Sequence, residues 1–169
     1  MDKIDPTDAH ILHLLQTRGR IKRKDIAEEV GLSLPSVSER MRKLEERGVV
    51  TGYHAALDPK RLHVDVTAFV RVSVDGSAHY AAFVEAARAL DEVQELHAIT
   101  GEGSHILKVR TRNTTTLEAL LAAIQRLPGV RATQTSIVLS TPKETRYLRA
   151  EPTALLAPHP NGEPAEIPA

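Results

Sequence analysis

Groups that can donate and accept hydrogen bonds collect on one side of a helix predicted within residues 31–48, GLSLPSVSERMRKLEERG. The residues expected at the centre of this side are Ser36, Glu39, Arg42 and Lys43, and its remaining members are Ser33, Pro35, Ser38 and Arg40. Val37, Met41 and Leu44 have the i, i+4, i+7 spacing of an apolar stripe on the other side. Hydroxyl, carboxylate and cationic groups presented together can read base edges in a DNA major groove. An ordinary core helix with a solvated face has the same pattern, so the neighbouring sequence must decide between them.

A run of five basic residues with no acid between them precedes this helix: Arg18, Arg20, Lys22, Arg23 and Lys24. Cationic side chains attract the phosphate backbone of DNA without reading its sequence. We expect four of them to hold phosphates beside the groove, namely Arg20, Lys22, Arg23 and Lys24. Alone, such a run more often marks a solvated turn, but it becomes informative next to a helix with hydrogen-bonding groups.

Three predicted helices position these groups. Asp5 and Pro6 give the first helix an N-cap and a proline in its first turn. A short second helix ends at Gly31, which tolerates the positive φ of a tight turn, and Ser33 caps the third. Two helices joined by a glycine turn form a helix-turn-helix. The β-branched residues in 49–58, VVTGYHAALD, predict the strand or small hairpin of a winged variant.

Composition limits the classes to which the protein can belong. Its 169 residues allow one average domain or two small ones, and with 3% aromatic residues the cores must be aliphatic. The 22 basic and 22 acidic residues balance, so any basic surface is local. The absence of cysteine excludes disulfides and cysteine-ligated zinc. No apolar run approaches the roughly 18 residues of a membrane span, and the first residues do not form a signal peptide, which predicts a cytoplasmic protein without a membrane partner.

The second half of the chain repeats its own pattern. Val93 and Val130 lie 37 residues apart and each opens a predicted strand, and Ser77 and Thr114, at the same offset, are the predicted N-caps of the preceding helices. Each half is therefore strand, helix, strand. Two halves give βαββαβ, the ferredoxin-like arrangement of a four-stranded antiparallel sheet with both helices on one face.

The predicted fold class is α+β, an N-terminal winged helix-turn-helix joined to a C-terminal ferredoxin-like domain. The predicted segments are a DNA-binding domain at 1–58, a linker at 59–63, an oligomerisation and effector domain at 64–140 and a tail at 141–169. The tail holds six of the ten prolines and lacks periodicity, which predicts a flexible segment. Tyr147 and Leu148 are the tail residues expected to dock on the body or on a neighbouring subunit.

One face of the predicted sheet carries no helix. Such a face needs a cover, and the same face of a second copy is the simplest one. A homodimer would also relate two helix-turn-helix units by a two-fold axis, which matches paired half-sites in double-stranded DNA.

Four stretches of the chain resemble the Lrp/AsnC family of transcriptional regulators, and they span roughly residues 2–139. They are IDPTDAHILHLLQTRGR, DIAEEVGLSLPSVSERMRKLEERGVVTGYHAALDP, LHAITGEGSHILKVR and LPGVRATQTSIVL. The resemblance implies a sequence-specific DNA-binding transcriptional regulator that acts as a homo-oligomer of dimers, often an octamer or another multiple. It also implies that a small effector, commonly an amino acid, binds between dimers near the loop joining strands two and three.

Six residues of that loop are the candidate effector-binding residues: Thr100, Gly101, Glu102, Gly103, Ser104 and His105. Two glycines allow close backbone approach to a ligand, although a plain hairpin loop has the same spacing. The family usually has Gly-Asp-Tyr/Phe-Asp here, whereas this chain has Gly103 at the aromatic position and Ser104 at the second acid. Since Ser104 cannot supply a charge for an ammonium group, the effector is an amino acid, another metabolite, or none.

Two other functions fit parts of the pattern. Proteins resembling this family but working as sirohaem decarboxylases share the two-domain layout, and the residues available here would be His97, His105, Arg110 and Arg112. No nucleophile–base constellation accompanies them, so no enzyme and no catalytic residue is predicted.

The spacing of His97 and His105 with Glu95 and Glu102 does not ensure that they converge on one ion, so no metal or cofactor is predicted. The second alternative is an architectural protein that wraps DNA, which the balanced charge disfavours.

Overall fold

The computed structural model describes residues 4–152, which divide into two compact units. Within that range the first unit contains residues 4–56 and 145–152, and the second is Leu57–Glu144. The predicted flexible tail falls mainly on residues 153–169, which lie outside the described residues. None of the helices within 4–152 is long and apolar enough to cross a membrane.

The first unit contains three helices: α1 (Pro6–Thr17), α2 (Arg23–Val30) and α3 (Leu34–Glu46). Asp5 caps α1 by accepting a hydrogen bond from the amide of Asp8 at 2.7 Å. Ser33 caps α3 by accepting from the amide of Ser36 at 3.3 Å. Both predicted caps are confirmed, and each satisfies an amide that the first helical turn leaves without a partner.

The turn between α2 and α3 depends on Gly31. Its φ of +67° lies in the left-handed region, which glycine adopts without strain. The amides of Gly31 and Leu32 both bond to the carbonyl of Ala27, so the chain reverses directly after α2. The predicted helix-turn-helix is confirmed.

Aliphatic side chains from all three helices form the core of this unit: Ile11, Leu12, Leu14, Ile26, Ala27, Val37, Met41 and Leu44. The last three are the predicted stripe of α3, and each is at most 5% exposed. Burial of each large aliphatic side chain contributes about 1.5–3 kcal/mol. This stripe fixes the rotation of α3 about its axis, and therefore determines which of its residues face outward.

The strand or hairpin predicted after α3 is absent from residues 49–58. The amides of Val49 and Val50 bond to the carbonyl of Leu44 at 2.9 and 3.1 Å and so close the C-terminal turn of α3. This prediction was wrong because β-branched residues favour a strand only where a pleated neighbour is available to pack against.

The second unit is built on a four-stranded antiparallel sheet of β1 (Val66–Val74), β2 (Val93–Ala98), β3 (His105–Thr111) and β4 (Val130–Ile137). Two helices, α4 (Tyr80–Arg88) and α5 (Thr114–Gln125), follow β1 and β3. The spatial order of the strands is β2-β3-β1-β4. The predicted βαββαβ order is confirmed, and with it the ferredoxin-like arrangement.

Alternate residues of β1 and β3 meet the two helices in the core of this unit. The fully buried members include Val70, Val72, Leu107 and Val109 from the strands and Phe83 and Ile124 from the helices. Successive strand residues point to opposite faces. The intervening residues of β1 and β3 therefore lie on the face away from α4 and α5, which we call the open face.

The helix starts in this unit differ from the predicted ones. Asn113 caps α5 by accepting from the amide of Thr116, and the hydroxyl of Thr116 accepts from the amide of Asn113. Thr114, the predicted cap, is the first helical residue. Ser77 opens a short 3₁₀ turn, and α4 begins only at Tyr80. The internal repeat therefore predicts the topology correctly and the caps incorrectly, since asparagine at the preceding position is the better cap.

The described part of the tail returns to α1. The ring nitrogen Nδ1 of His13 and the hydroxyl of Tyr147 are 2.9 Å apart. The side-chain amide of Gln16 donates to the carbonyl of Leu148 at 2.9 Å and accepts from its amide at 2.8 Å. The predicted docking of the tail is therefore observed within the same unit, although Leu148 docks through its backbone and its side chain is exposed.

Candidate nucleic-acid interface and effector loop

The outward side of α3 presents the predicted hydrogen-bonding groups to solvent. Its exposed members are Ser33, Pro35, Ser36, Glu39, Arg42 and Lys43, and Ser38 is half-buried. A shallow groove beside the helix is lined by Arg23, Pro35, Ser38, Glu39, Arg42 and Glu45. The start of α2 and the outward side of α3 thus form one continuous surface.

Arg42 lies between two carboxylates of the same helix. Its Nε and Nη2 atoms donate to the two carboxylate oxygens of Glu39 at 2.8 and 2.6 Å, and its Nη1 donates to Glu46. Hydrogen bonds from Arg42 lower the pKa of Glu39 to about 2, and hydrogen bonds from Glu39 raise the pKa of Arg42. Both groups are therefore ionised at neutral pH.

Arg40 lies beside Ser36, Glu39 and Lys43, and it also reaches the start of α1. Its Nη1 donates to Asp5 at 2.6 Å and to the buried Asp8 at 2.7 Å, at the start of α1. Desolvation acts to raise the pKa of Asp5, but hydrogen bonds from the amide of Asp8 and from Arg40 outweigh it, and the pKa is lowered. Nη1 of Arg40 thus joins α3 to the start of α1.

The basic run lies around the start of α2. Arg20, Lys22, Arg23 and Lys24 are exposed, and Lys22 is the N-cap residue. Arg18, which we left out of the predicted phosphate contacts, pairs with Glu29. Cations at a helix N-terminus oppose the helix dipole, so this placement does not favour the helix itself. It does present positive charge beside the groove of α3.

A contact that the sequence did not predict lies beside this surface. The hydroxyl of Tyr53 donates to Glu45 at 2.8 Å. Burial, assisted by the hydrogen bond to Glu45, raises the pKa of Tyr53 to about 12. The segment that was expected to form a wing therefore attaches to α3 through a side chain. A lone tyrosine eight residues from a glutamate gives no periodic signal from which this contact could have been found.

The loop between β2 and β3 covers residues 99–104, and its backbone depends on glycine. Gly103 has φ +78°, and a Cβ atom there would lie 2.8 Å from Cγ of Arg71 and 3.1 Å from the carbonyl oxygen of Val72. No side chain fits at this position without displacing backbone. A Cβ at this position would therefore require Arg71 and the carbonyl of Val72 to move.

Ser104 fastens this loop to β1. Its hydroxyl accepts from the amide of Val74 at 3.0 Å and donates to the carbonyl of Val72 at 3.2 Å, while its own amide donates to that carbonyl at 2.9 Å. The hydroxyl therefore completes strand pairing. Thr100, Gly101 and Glu102 are exposed, and Glu102 lies 3.5 Å from Arg71.

His105 was predicted to be a residue of the loop, but it is the first residue of β3 and is 2% exposed. Its ring packs against Tyr80 and Phe83 of α4, and burial lowers its pKa. The loop prediction was wrong here because alternation along β3 directs this side chain into the core.

His97 and His105 point to opposite faces of the sheet. His97 pairs in register with Ile106, on the open face, whereas His105 faces the helices. They do not converge on one site of this chain, as the decarboxylase alternative would require. Among residues 4–152 no group of three histidine or acidic side chains is placed to hold a metal ion.

The open face of the sheet carries charged side chains in contact with one another. The Nζ atom of Lys108 lies 3.2 Å from Glu95 and also contacts Glu144, and Arg110 donates to Glu144 at 2.8 Å. Hydrogen bonds from Lys108 lower the pKa of Glu144. Phe69, 40% exposed, is the large apolar side chain of β1 on this face.

Comparison with known proteins agrees with both units. The family model described as winged helix-turn-helix DNA-binding matches residues 4–51, and the Lrp/AsnC ligand binding domain matches residues 67–148. The leucine-responsive regulatory protein of Haemophilus influenzae is 36% identical over 148 residues, covering 86% of this chain and 89% of that protein. That of Escherichia coli K12 is 34% identical over 148 residues, covering 86% and 90%.

Solved structures give the same result. Escherichia coli AsnC has a TM-score of 0.80 at 30% identity, covering 87% of this chain and 99% of that one. A transcriptional regulator of Neisseria meningitidis in complex with L-methionine has a TM-score of 0.81 at 31% identity, covering 86% and 96%.

The winged helix-turn-helix match and the Lrp/AsnC ligand binding domain match together define a DNA-binding transcriptional regulator with a ligand-binding domain. The chain belongs to the Lrp/AsnC family of transcriptional regulators. The relatives named above are regulators, and this supports a protein that is not an enzyme.

Proposed function

We propose that this regulator reads its operator with α3 in the major groove. The observation that carries the proposal is the orientation of α3, whose stripe of Val37, Met41 and Leu44 is buried while its polar side is exposed. The proposed base contacts come from Ser36, Glu39, Arg42 and Lys43, with Ser33, Pro35 and Ser38 bordering the groove. Arg40, whose Nη1 donates to Asp5 and Asp8, borders the groove beside Ser36 and Lys43.

The basic run around the start of α2 supplies the proposed phosphate contacts: Arg20, Lys22, Arg23 and Lys24. Exposed cations in one segment release counterions when they meet a duplex, so the affinity of such contacts falls steeply with salt. They position the protein on DNA, whereas the side chains of α3 select the sequence.

We infer a homodimer formed through the open face of the sheet, with larger assemblies built from such dimers. No helix within residues 4–152 lies over this face, and it combines the exposed Phe69 with the charged groups around Lys108. A two-fold axis would place the same residues against each other from both copies. Phe69→Glu should therefore lower the mass measured by light scattering, to half if the unaltered chain is an isolated dimer and further if it forms a larger assembly. Ile137→Glu is the matched control, because it is similarly exposed but paired in register with Ala68, which faces the helices.

A small-molecule effector is proposed for the loop at residues 99–104. Support comes from relatives, such as the Neisseria meningitidis regulator solved with L-methionine. The side chains that remain for a ligand are those of Thr100 and Glu102, together with the backbone at Gly101 and Gly103. Ser104 already serves β1, and His105 lies in the core.

The test is binding of the purified chain to the DNA upstream of its own gene, against a scrambled duplex, over a salt series. A preference that persists near physiological salt is expected. Arg42→Ala should reduce that preference, because a bidentate contact to guanine discriminates by roughly 1–3 kcal/mol. Lys24→Ala should weaken binding to both duplexes alike and reduce the salt slope by about 0.9.

Equal binding of both duplexes by the unaltered chain would instead favour an architectural DNA-wrapping function. Unchanged affinity in both variants would contradict the assignment of this surface.

A further inference from the structure

Each of the three guanidinium nitrogens of Arg42 donates to an acid of its own helix. Its Nε and Nη2 atoms donate to Glu39 at 2.8 and 2.6 Å, and its Nη1 donates to Glu46. A bidentate contact to guanine needs two N–H groups of the same fork. Glu39 therefore holds the fork formed by Nε and Nη2, and this fork becomes available to guanine only when those two hydrogen bonds break.

Glu39 is also placed where a base could meet it. Its side chain is 48% exposed and lines the groove beside α3, and Nζ of Lys43 lies 3.5 Å from one of its oxygens. An ionised carboxylate can only accept hydrogen bonds. In the major groove the amino group of cytosine is the donor with which a glutamate pairs, whereas guanine presents only acceptors.

We propose that Glu39 sets the sequence specificity of α3 by exchanging Arg42 for the amino group of a cytosine, which releases Arg42 to a guanine in the neighbouring base pair. The inference rests on the proposed reading of DNA by α3. Residues three apart rise about 4.5 Å along a helix, and successive base pairs are about 3.4 Å apart, so the two contacts fall on adjacent pairs.

On other sequences the exchange fails. The carboxylate then either keeps Arg42 away from the bases or faces guanine and phosphate acceptors, which repel it. Glu39 thus opposes binding to the wrong sites as well as favouring the right one, and discrimination by a protein uses both effects. A glutamate that only stabilises α3 would behave differently, because its removal would change the affinity for all duplexes by the same factor.

The experiment is selection from a pool of duplexes with a randomised central segment, using the full chain, the Glu39→Gln variant and the Glu46→Gln variant. We expect the unaltered chain to enrich a cytosine next to a guanine-containing pair. Glutamine pairs with adenine instead, so Glu39→Gln should enrich adenine at the cytosine position. The change in preference between the two bases should be about 5- to 150-fold. Glu46→Gln removes the other partner of Arg42 and should keep the original preference.

The opposite results are equally clear. If Glu39→Gln enriches the same sequences as the unaltered chain, or if both variants gain affinity for all duplexes by the same factor, Glu39 is only a partner of Arg42 within α3 and the proposal is overturned. If the unaltered chain enriches no sequence, the proposed sequence-specific binding fails first, and the inference fails with it. Circular dichroism checks that each variant keeps its helices, as expected for exposed positions.

Discussion

The outward side of α3 and the loop between β2 and β3 are both rich in polar side chains, and the two regions use them differently. On α3 the polar groups contact one another, as Arg42 does with Glu39, and remain at the surface. In the loop the hydroxyl of Ser104 is bonded to two backbone groups of β1.

The difference follows from how each region satisfies its backbone. A helix pairs its interior amides and carbonyls internally, so outward side chains are not needed for that purpose. β1 continues to Val74, beyond its pairing with the first residue of β3. The amide of Val74 has the hydroxyl of Ser104 as its partner. Polar residues beside a sheet edge are therefore recruited by the fold, because buried amides need partners.

The largest effect that would test this contrast is in the loop. Gly103→Ala should lower the free energy of unfolding by about 2–4 kcal/mol, because it adds the cost of a left-handed residue to a clash with the carbonyl of Val72. Urea unfolding measures it. Gly101→Ala is the matched control, since φ is +93° there but its Cβ would meet nothing within 4 Å. Its loss should be about 1 kcal/mol, and equal losses would contradict the close approach.

A second comparison uses serine in both regions. Ser104→Ala should destabilise the protein by about 1–2 kcal/mol, because the amide of Val74 loses its partner. Ser36→Ala on α3 should stay within about 0.5 kcal/mol in stability and should weaken DNA binding instead. Thermal unfolding measures the stability of both variants, and a titration with DNA measures their affinity. A stable Ser104→Ala variant would mean that this hydroxyl is dispensable for the sheet.

Replacement of Arg40 tests whether this arginine of α3 stabilises the folded unit. Arg40→Ala should cost about 1 kcal/mol, because it leaves the buried Asp8 without its cation. Asp5 has a lowered folded pKa, so its share of the stability is present at neutral pH and is lost as the pH falls below about 4. The variant should therefore unfold with less pH dependence in that acid range. Arg20→Ala is the control, because Arg20 is an exposed arginine outside these ion pairs, and its stability should follow the unaltered chain there.

The smallest expected effect concerns the tail. Gln16→Ala removes two hydrogen bonds to the backbone of Leu148 and should lower the stability of the first unit by about 0.5–1 kcal/mol. Hydrogen exchange of the Leu148 amide should accelerate in parallel. Gln125→Ala, which removes a contact between α5 and β4, should leave that amide unchanged. Equal exchange in all three proteins would show that the tail docks without Gln16.

The ends of the three helices in the first unit were the most predictable parts of the fold. Asp5, Ser33 and Gly31 act through local backbone geometry, so their roles can be inferred from neighbouring residues. The same holds for the stripe that orients α3, and hence for the exposure of its polar side. Which of these residues contact DNA stays a prediction.

The sequence did not predict contacts between residues distant along the chain, nor the exact starts of α4, α5 and β3. Ser104 serves an amide thirty residues away, and Arg40 reaches acids more than thirty residues away. His105 was assigned to the loop because the exact start of β3 could not be inferred from the glycines before it. The valines after α3 lacked a strand partner. The spacing of residue types along the chain does not reveal which distant residues come into contact.

The return of residues 145–152 to α1 has a consequence for synthesis. A ribosome releases α1, α2 and α3 first, then the whole sheet, and only afterwards the segment that contacts His13 and Gln16. The DNA-binding unit thus begins before the sheet along the chain and is completed after it. A nascent chain that stops after β4 carries a folded sheet but a helix-turn-helix unit that still lacks its final contacts.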